Sequence, residues 1–522
     1  MLNSIKSFFS RRLFGVVGAA LGAERFRDWG ARERSRRGRL AISRGADLAN
    51  AGKYLAASAA FLAAIELAPE NAEAYHGHGV CQHGLGDFEA ARDSFRKASD
   101  LAPMRDDIRN RLGLVLRKLN QLEGTTDSFK RALILTPTSG ETLNNLADVL
   151  QARDQERAAF VGFERALTVM PNSPGVHSNL GGAYRDAGLL KQAGDSFARA
   201  LALDPGHAGA NFSRGTLALL QGDFETGWAG YEWRNRADGF KPSAAYDASQ
   251  WRGEDISGRS IYVHSEQGLG DVLQFVRYIP ALAARCDRVI LKVPDALRRT
   301  VAELASHATI IGGGEPVPRC DVHSPLLSLP QAFKTDATSI PFPGAYLHAE
   351  ARLRDKWRAA LVSTSQLRVG LIWAAGARSS TSFRRSIDLS HLAPMLAEKR
   401  VRWVNLQLPP QSVQATALPE DTFLDLSALQ PNMAETAAII MELDLVITVD
   451  TSIAHLAGAL GRPVWVMLPH VPDWRWQLGR SDSPWYDSMR LFRQARTGDW
   501  QSVVVALRKA LDAWLSEPAR EV

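Results

Sequence analysis

Cysteine is scarce in this sequence, and long hydrophobic runs are missing from it. The 522 residues include three cysteines, Cys81, Cys286 and Cys320, which are far apart and lack metal-ligand spacing. This usage argues against a disulfide-stabilised secreted domain and is typical of a reducing cytoplasm. The apolar stretch from Leu13 to Ala23 is too short for a helix that spans a bilayer. We therefore expect a cytoplasmic protein.

An excess of charge of one sign is missing beyond the N-terminal segment. The net charge is +6, but residues 1–40 hold ten Lys or Arg against three Asp or Glu, so the rest of the chain is close to neutral. A nucleic-acid partner is therefore not expected. Residues 1–40 have the charge order of a signal peptide without a clear cleavage site. We interpret them as a basic arm that is disordered or lies weakly on an anionic membrane surface.

From about residue 41 to 237 the chain repeats itself every 34 residues. The recurring landmarks are Pro69, Pro103, Pro137, Pro171 and Pro205; Phe61, Phe95, Phe129, Phe163, Phe197 and then Tyr231; and Gly45, Gly79, Gly113, Gly181 and Gly215, with Ala147 in the one glycine position that is missed. The pattern resembles a tetratricopeptide array, in which each unit is a helical hairpin whose small residues let the two helices touch.

Arrays of this kind bind extended peptides in a concave groove. Asn144, Asn145 and Asn179 fall on the first helices of their units, and their side-chain amides can hydrogen-bond a peptide backbone. We therefore predict that they bind a peptide. The alternative is a helical spacer that binds nothing.

After the repeats, Trp228, Trp233 and Arg234 are not repeat landmarks, and they predict a junction between the array and the next domain. A linker is expected over residues 238–258. Short apolar runs alternating with amphipathic stretches then predict two Rossmann-like lobes, over residues 259–367 and 368–522, with a helix closing the second lobe. In the first lobe a strand over 261–264 is followed by a helix predicted over 272–284. The predicted fold class is α plus α/β, a tetratricopeptide helical solenoid followed by the two lobes.

The stretch from Glu442 to Pro469 is the clearest βαβ unit in the chain. Asp450, Thr451 and Ser452 fall where its first strand ends and its helix begins, and His455 follows one helical turn later. Backbone N–H groups at such a helix start attract anions, which predicts a phosphate site. The alternative is that these residues only cap the helix.

Three stretches carry a resemblance to a known family: Gly268–Phe275, Asp450–Ala457 and the tail that begins at Pro472–Trp476. They are similar to bacterial glycosyltransferases of the two-lobed GT-B fold, especially the heptosyltransferase group. With its repeats, the chain resembles tetratricopeptide-containing glycosyltransferases, some of which modify flagellin. The resemblance implies that residues 259–367 form the acceptor side and residues 368–522 the nucleotide-sugar side.

The resemblance also implies roles for single residues. It makes Asp271 the base that accepts the acceptor's proton, with Glu266 as a rival. It places the donor phosphates at Thr451 and Ser452, beside Asp450 and His455, and implies that Arg385, Ser386 and Gln407 line the donor cleft. The sequence departs from the family pattern in the loop that follows Trp373 and, separately, at Leu408. These two departures leave the donor's identity open.

No Asp-x-Asp pair occurs from residue 252 onward, so no carboxylate-bound metal ion is implied and no cofactor is expected besides the nucleotide-sugar co-substrate. A single base implies inversion at the anomeric carbon, by analogy with the family. We therefore expect a protein glycosyltransferase that adds a sugar to Ser or Thr of an acceptor, such as flagellin, recruited by the repeats. The alternatives are an adaptor with inactive lobes and a lipopolysaccharide sugar transferase.

Overall fold

A computed structural model describes residues 33–237, 246–361, 366–376, 382–417, 419, 423–426 and 432–516. The basic arm predicted over 1–40 lies outside these ranges except for 33–40, which belong to a helix over 33–50, so the predicted boundary at residue 41 falls inside a helix. Within the described ranges, no helix has both the length and the apolar character needed to cross a membrane.

The chain divides into two compact units, one ending at Asn172 and one beginning at Ser173. The first unit contains the helices α1 (33–50), α2 (Tyr54–Leu67), α3 (Ala72–Leu85), α4 (Phe88–Leu101), α5 (Asp106–Lys118), α6 (Leu122–Leu135), α7 (Gly140–Ala152) and α8 (Glu156–Val169). Polar residues fix several helix starts: the side chains of Asn71 and Asp87 each accept a hydrogen bond from the backbone N–H three residues later.

The repeat landmarks form the contact inside each hairpin. A side chain at Gly113 would place its Cβ only 2.4 Å from the ring of Phe129, and one at Gly181 would lie 2.6 Å from the ring of Phe197. Phe129 and Phe197 are fully buried. The absence of a side chain at the glycine therefore makes room for the aromatic ring, and the predicted helical-hairpin array is confirmed.

The second unit begins with four more repeat helices, α9 (Pro174–Asp186), α10 (Leu190–Leu203), α11 (Ala208–Leu220) and α12 (Phe224–Tyr231). The last of them packs into the core of the lobes. The Trp228 indole N–H donates to the Thr335 carbonyl at 2.8 Å, and its ring lies against those of Trp474 and Trp485. The junction predicted from the tryptophans is thus part of the lobe interior.

The first lobe is built on a parallel sheet of five strands in the order β1-β5-β2-β3-β4. These strands are β1 (Ser249–Gln250), β2 (Ile256–His264), β3 (Cys286–Lys292), β4 (Thr309–Ile311) and β5 (Val322–Pro325). Its helices are α13 (Leu269–Phe275), α14 (Ile279–Ala283), α15 (Leu329–Ala332) and α16 (Ala351–Ala360). The linker expected over 238–258 therefore already contains β1 and the start of β2.

The single helix expected over 272–284 is interrupted. α13 ends at Phe275, a 3₁₀ turn covers Val276–Tyr278, and α14 follows. Pro280 has no backbone N–H and cannot continue the helical hydrogen bonds across this point.

The second lobe has a parallel sheet of six strands in the order β11-β10-β9-β6-β7-β8. The strands are β6 (Leu367–Ile372), β7 (Val401–Asn405), β8 (Phe423–Asp425), β9 (Leu445–Val449), β10 (Val464–Leu468) and β11 (Met489–Arg493). The helices are α17 (Leu389–Leu396), α18 (Met433–Met441), α19 (Ser452–Ala459) and the closing helix α20 (Trp500–Ser516). If the strands are numbered from the start of this lobe, their order in the sheet is that of the Rossmann fold. The predicted fold class is confirmed.

Candidate functional site

Both sheets reverse their strand order at one place, between β2 and β5 in the first lobe and between β6 and β9 in the second. Ligands of open parallel sheets bind in the crevice beyond the carboxyl ends of the strands at such a switch point. The residues predicted for the site follow these strands: Glu266 and Asp271 come after β2, Arg385 after β6, and Asp450 after β9.

At the start of α19, the predicted phosphate residues divide between capping the helix and facing the cleft. The Thr451 hydroxyl accepts a hydrogen bond from the backbone N–H of Ile453 at 3.3 Å and lies 3.1 Å from the Thr448 hydroxyl. Thr451 therefore caps the helix, as the alternative interpretation expects. Ser452 is the first residue of the helix and is half-buried. Its hydroxyl is not needed for the cap.

Asp450 is buried at the end of β9, with Arg385 Nη1 3.5 Å from its Oδ2. Burial raises the pKa of the Asp450 carboxyl, and the neighbouring Asp473 raises it further, whereas Arg385 and Arg475 act in the opposite direction. The Arg385 guanidinium is therefore held at the carboxyl end of β9.

His455 is buried beneath this edge. Its Nδ1 lies 2.9 Å from the Tyr486 hydroxyl, and its ring stacks on Trp476 at 5.3 Å. Burial lowers the pKa of His455 well below its usual value, and nearby cations, Arg475 first among them, lower it further. The imidazole is therefore neutral at physiological pH.

Gly270 of α13 is a point of close contact between the two lobes. A Cβ at this position would lie 2.9 Å from His455 Cδ2 and 3.3 Å from the Ser452 Cα. The missing side chain lets the start of α13 lie directly against the start of α19. Asp271, the next residue, is thereby brought to the same cleft as Thr451 and Ser452.

Asp271 has two partners for its carboxylate. Its Oδ2 accepts a hydrogen bond from the Gly268 backbone N–H at 2.8 Å, which is the contact expected from a helix-capping residue. Its Oδ1 accepts a hydrogen bond from Arg475 Nη2 of the second lobe. Asp271 therefore caps α13 and also joins the two lobes.

Arg475 is the main residue that sequence reasoning did not assign. Besides Asp271, it donates to Gln274 Oε1 at 2.6 Å and to Asp473 Oδ1 at 2.9 Å. Burial disfavours its charge, but Asp473 and Asp271 outweigh that effect, so the pKa of Arg475 lies above its usual value. The signal was present in the tail Pro472–Trp476, which the family resemblance singled out without giving the arginine a role.

Glu266, the rival base, is held in a buried ion pair. Its Oε1 lies 2.7 Å from Arg234 Nη2, and the Arg234 side chain is fully buried and also binds Glu232 and Ser328. Burial raises the pKa of Glu266, and Arg234 opposes that shift. Glu266 thus helps to attach the end of the array to the first lobe.

The residues predicted to line the donor cleft from the second lobe differ in function. The Gln407 carboxamide oxygen accepts hydrogen bonds from the backbone N–H groups of Trp373 and Ala374, and the Ser386 hydroxyl accepts one from Ala375. Both side chains therefore brace the backbone that follows β6. Only Arg385 of this group faces Asp450.

The predicted peptide-binding asparagines are divided between the two compact units. Asn144 and Asn145 lie on α7 in the first unit, and Asn179 lies on α9 in the second. Asn145 is largely buried, and its Nδ2 donates to Asn110 Oδ1 at 3.4 Å. Asn144 and Asn179 are half-buried.

A pocket of about 480 Å³, lined by both polar and apolar residues, opens at the carboxyl ends of β1 and β5. The 3₁₀ turn Glu232–Arg236, at the end of the array, forms one wall, and Gln250, Arg252 and Gln331 contribute to the other. The Glu232 carboxylate already accepts hydrogen bonds from Arg234 and Ser328. The pocket therefore lies where the last repeat meets the first lobe.

A repeat array joined to two parallel-sheet lobes, with polar groups gathered at the carboxyl ends of both sheets, defines a repeat-bearing two-lobed protein. The family models are more specific. The tetratricopeptide repeat model matches residues 43–103, 83–140 and 178–227, and the glycosyltransferase family 9 (heptosyltransferase) model matches residues 424–468. The second match contains β9, α19 and β10. The resemblance to a tetratricopeptide-containing glycosyltransferase is thereby confirmed.

Protein FlbA of Caulobacter vibrioides is 26% identical over 325 residues, which cover 58% of this chain and 54% of FlbA. The match thus spans about half the length of that relative. Among solved structures, YrrB, described as a TPR protein with an unusual peptide-binding site, is 24% identical with a TM-score of 0.30, covering 33% of this chain and 88% of YrrB. PilF of Pseudomonas aeruginosa is 19% identical with a TM-score of 0.34, and the match covers 39% of this chain and 93% of PilF.

Proposed function

We propose that this protein transfers a sugar from a nucleotide-sugar donor to a Ser or Thr hydroxyl of a protein acceptor that the repeats recruit. The observation that carries the proposal is the meeting of two strand-end sites in one cleft. Arg385 and the start of α19 lie at the switch point of the second sheet, and Asp271 reaches the same cleft from the first lobe. Flagellin is the acceptor that the family resemblance favours.

The second lobe supplies what a departing phosphate needs. Negative charge grows on the phosphate as the sugar leaves, and a helix N-terminus together with an arginine stabilises such charge in a cleft with little water. Ser452 and Arg385 would bind the donor diphosphate. The neutral His455 beside them adds no positive charge of its own, and its ring can serve as a hydrogen-bonding group.

Asp271 would act as the base. The acceptor oxygen forms a bond to the anomeric carbon, the bond from that carbon to the donor phosphate oxygen breaks, and the acceptor's proton passes to the Asp271 carboxylate. Each carboxylate oxygen can accept more than one hydrogen bond, so the contacts with Gly268 and Arg475 leave capacity for a substrate hydroxyl. No step in this scheme requires a metal ion.

The pocket between the array and the first lobe supports a route for the acceptor. It lies on the same edge of the first sheet as Asp271, because β1, β5 and β2 are parallel neighbours. An extended acceptor segment leaving the array beside the turn Glu232–Arg236 would cross this edge before it reaches the base.

A thermal-shift panel of nucleotide sugars, built on UDP, GDP, ADP, CMP and dTDP, tests donor binding, because a ligand that binds the folded state stabilises it by RT ln(1 + [L]/Kd). Arg385→Gln should lose most of the shift. Arg400→Gln is the matched control. Arg400 is exposed and lies just before β7, at the amino ends of the strands, whereas the proposed donor site is at their carboxyl ends. If no nucleotide sugar stabilises the wild type, the adaptor alternative is favoured.

Recruitment by the repeats needs a shortened chain that keeps the lobe core intact. A chain starting near Trp251 would lose Trp228, Tyr231 and Arg234, which are buried in that core. A chain starting at Ser173 keeps the whole second unit. It should retain the donor-induced thermal shift and lose most transfer to the protein acceptor. Full-rate modification of that acceptor by the shortened chain would contradict recruitment by the earlier repeats.

A further inference from the structure

The repeat helix α9 contacts the turn that carries the donor-site arginine. Arg384 and Arg385 end a 3₁₀ turn over Ser382–Arg385, after β6. Arg384 Nη1 donates to Asp186 Oδ2 at 2.9 Å, and Asp186 is the last residue of α9. The Arg384 and Asp186 side chains are only 22% and 24% exposed. This ion pair links the array to the second lobe within one compact unit.

The neighbouring arginine has a different partner. A 3₁₀ helix has three residues per turn, so consecutive side chains point about 120° apart. When Arg384 reaches the array, Arg385 is directed elsewhere, and its Nη1 lies 3.5 Å from Asp450. Because both arginines extend from one short turn, anchoring Arg384 restrains the backbone from which Arg385 reaches Asp450.

The other described contacts hold the turn from its C-terminal side. The Ser386 hydroxyl accepts from the Ala375 backbone N–H, and the Ile387 N–H donates to the Trp373 carbonyl at 2.9 Å. These contacts attach the turn to the end of β6. The Arg384 guanidinium lies over the Phe383 ring of the same turn, and Asp186 binds it from α9.

Asp186 itself is held in place. Arg185 donates to its Oδ1 from Nε at 3.1 Å and from Nη2 at 2.9 Å. The turn that follows α9 packs on the second lobe, because a Cβ at Gly188 would lie 3.5 Å from His470 Nε2. The carboxylate is thus presented to Arg384 from a fixed backbone.

We propose that Asp186 is a positioning residue of the donor site, so that the repeat array orients Arg385 for the donor diphosphate through Arg384. The inference rests on the proposed function, because it needs Arg385 to bind the donor. It assigns the array a part in donor binding in addition to acceptor recruitment.

The test measures the Kd of UDP, GDP, ADP, CMP and dTDP by calorimetry for the full chain. Asp186→Asn removes the charge and keeps the size, and it should weaken binding of the preferred nucleotide about three- to fivefold, the size expected for a partly exposed ion pair. Asp195→Asn is the control, since Asp195 is an exposed acid on α10 paired with Lys191. It should leave the Kd unchanged.

A double-mutant cycle separates positioning from a general structural effect. Because Asp186 acts through Arg385, Asp186→Asn should add nothing to the loss caused by Arg385→Gln. The exchange Asp186→Lys with Arg384→Glu should recover binding relative to either single change. In a transfer assay, Asp186→Asn should raise the KM for the nucleotide sugar while the KM for the acceptor stays unchanged.

Two outcomes overturn the inference in different ways. If the wild type binds a nucleotide and Asp186→Asn binds it equally well, or only the melting temperature changes, Asp186 does not position Arg385 and the proposed function stands. If the wild type binds none of the nucleotides, the proposed function fails, and the inference fails with it.

Discussion

The first and second lobes have related parallel sheets but use their strand ends differently. After β2 of the first lobe, Glu266 is committed to a buried ion pair with Arg234 from the end of the array. After β9 of the second lobe, Asp450 lies 3.5 Å from Arg385, which is more than a third exposed. The first switch point serves attachment, and the second remains available for a ligand.

This difference means that strand-end position alone does not identify a reactive carboxylate. Glu266 and Asp271 both follow β2, but only Asp271 extends to the second lobe, where Arg475 binds it. A carboxylate already neutralised inside its own lobe is expected to matter for stability. One that faces the other lobe is expected to matter for chemistry. Two predictions test this division, and two more test the phosphate site of the second lobe and the end of β2.

The largest effect is expected for Asp271→Asn. Asn keeps the shape and can still cap α13, but it cannot take the acceptor's proton, so single-turnover transfer should fall about 10²–10⁴-fold. Donor binding should stay close to that of the wild type, whereas the melting temperature should fall moderately, because Arg475 keeps Asp473 as its carboxylate partner after the change. Transfer at the wild-type rate would leave Asp271 with the capping function alone.

Glu266→Gln should act on the fold and much less on the reaction. It leaves Arg234 buried with Glu232 as its remaining carboxylate, so we expect a loss of about 3 kcal/mol in the free energy of unfolding, the lower end for a broken buried pair. Urea unfolding measures the loss. A stable Glu266→Gln protein that no longer transfers sugar would hand the role of base to Glu266.

Replacing Thr451 and Ser452 by Ala should weaken nucleotide-sugar binding by about 1–3 kcal/mol, the cost of lost hydrogen bonds to a charged group. The two single variants refine the test, because Thr451 also caps α19. Thr451→Ala should lower the melting temperature, and Ser452→Ala should lower only donor affinity in calorimetry. Equal donor affinity in the double variant would move the phosphate site elsewhere.

The smallest effect concerns His264 at the end of β2. Burial, followed by the neighbouring His323, lowers the pKa of His264 to about 4 from its ordinary value of 6.5. Between these values the unfolded chain binds the proton more readily, so stability falls as pH falls, by up to about 1.4 kcal/mol per pH unit.

His264→Asn should flatten that part of the pH dependence in urea unfolding at pH 7, 6 and 5. His307→Asn is the control, because His307 is exposed. Parallel pH profiles for the wild type and His264→Asn would show that His264 does not contribute.

Periodicity was sufficient to predict the repeats and most strands. A 34-residue spacing requires a repeated hairpin, and runs such as Leu445–Val449 are long enough and apolar enough to be buried strands. Two strands were missed. β1 has two residues, and β11 (Met489–Arg493) has no simple alternation of apolar and polar residues.

The site was less predictable, because its decisive contacts join distant parts of the chain. Arg475 and Asp271 are 204 positions apart, and Asp186 and Arg384 are 198 apart. No local pattern encodes such pairs. The family resemblance pointed to Asp271 and Thr451, but it gave Gln407 a ligand-facing place, where the structure shows a side chain that braces the backbone after β6.

Gly270 helps to set the spacing between the two lobes at the cleft. With no side chain on Gly270, the start of α13 lies directly against the His455 ring and the Ser452 Cα of α19. A single methyl group there would force the lobes apart by a few tenths of an ångström. Because reaction rates fall about 10²-fold for a misplacement of about 1 Å, this glycine keeps the two lobes at the spacing that the proposed reaction needs.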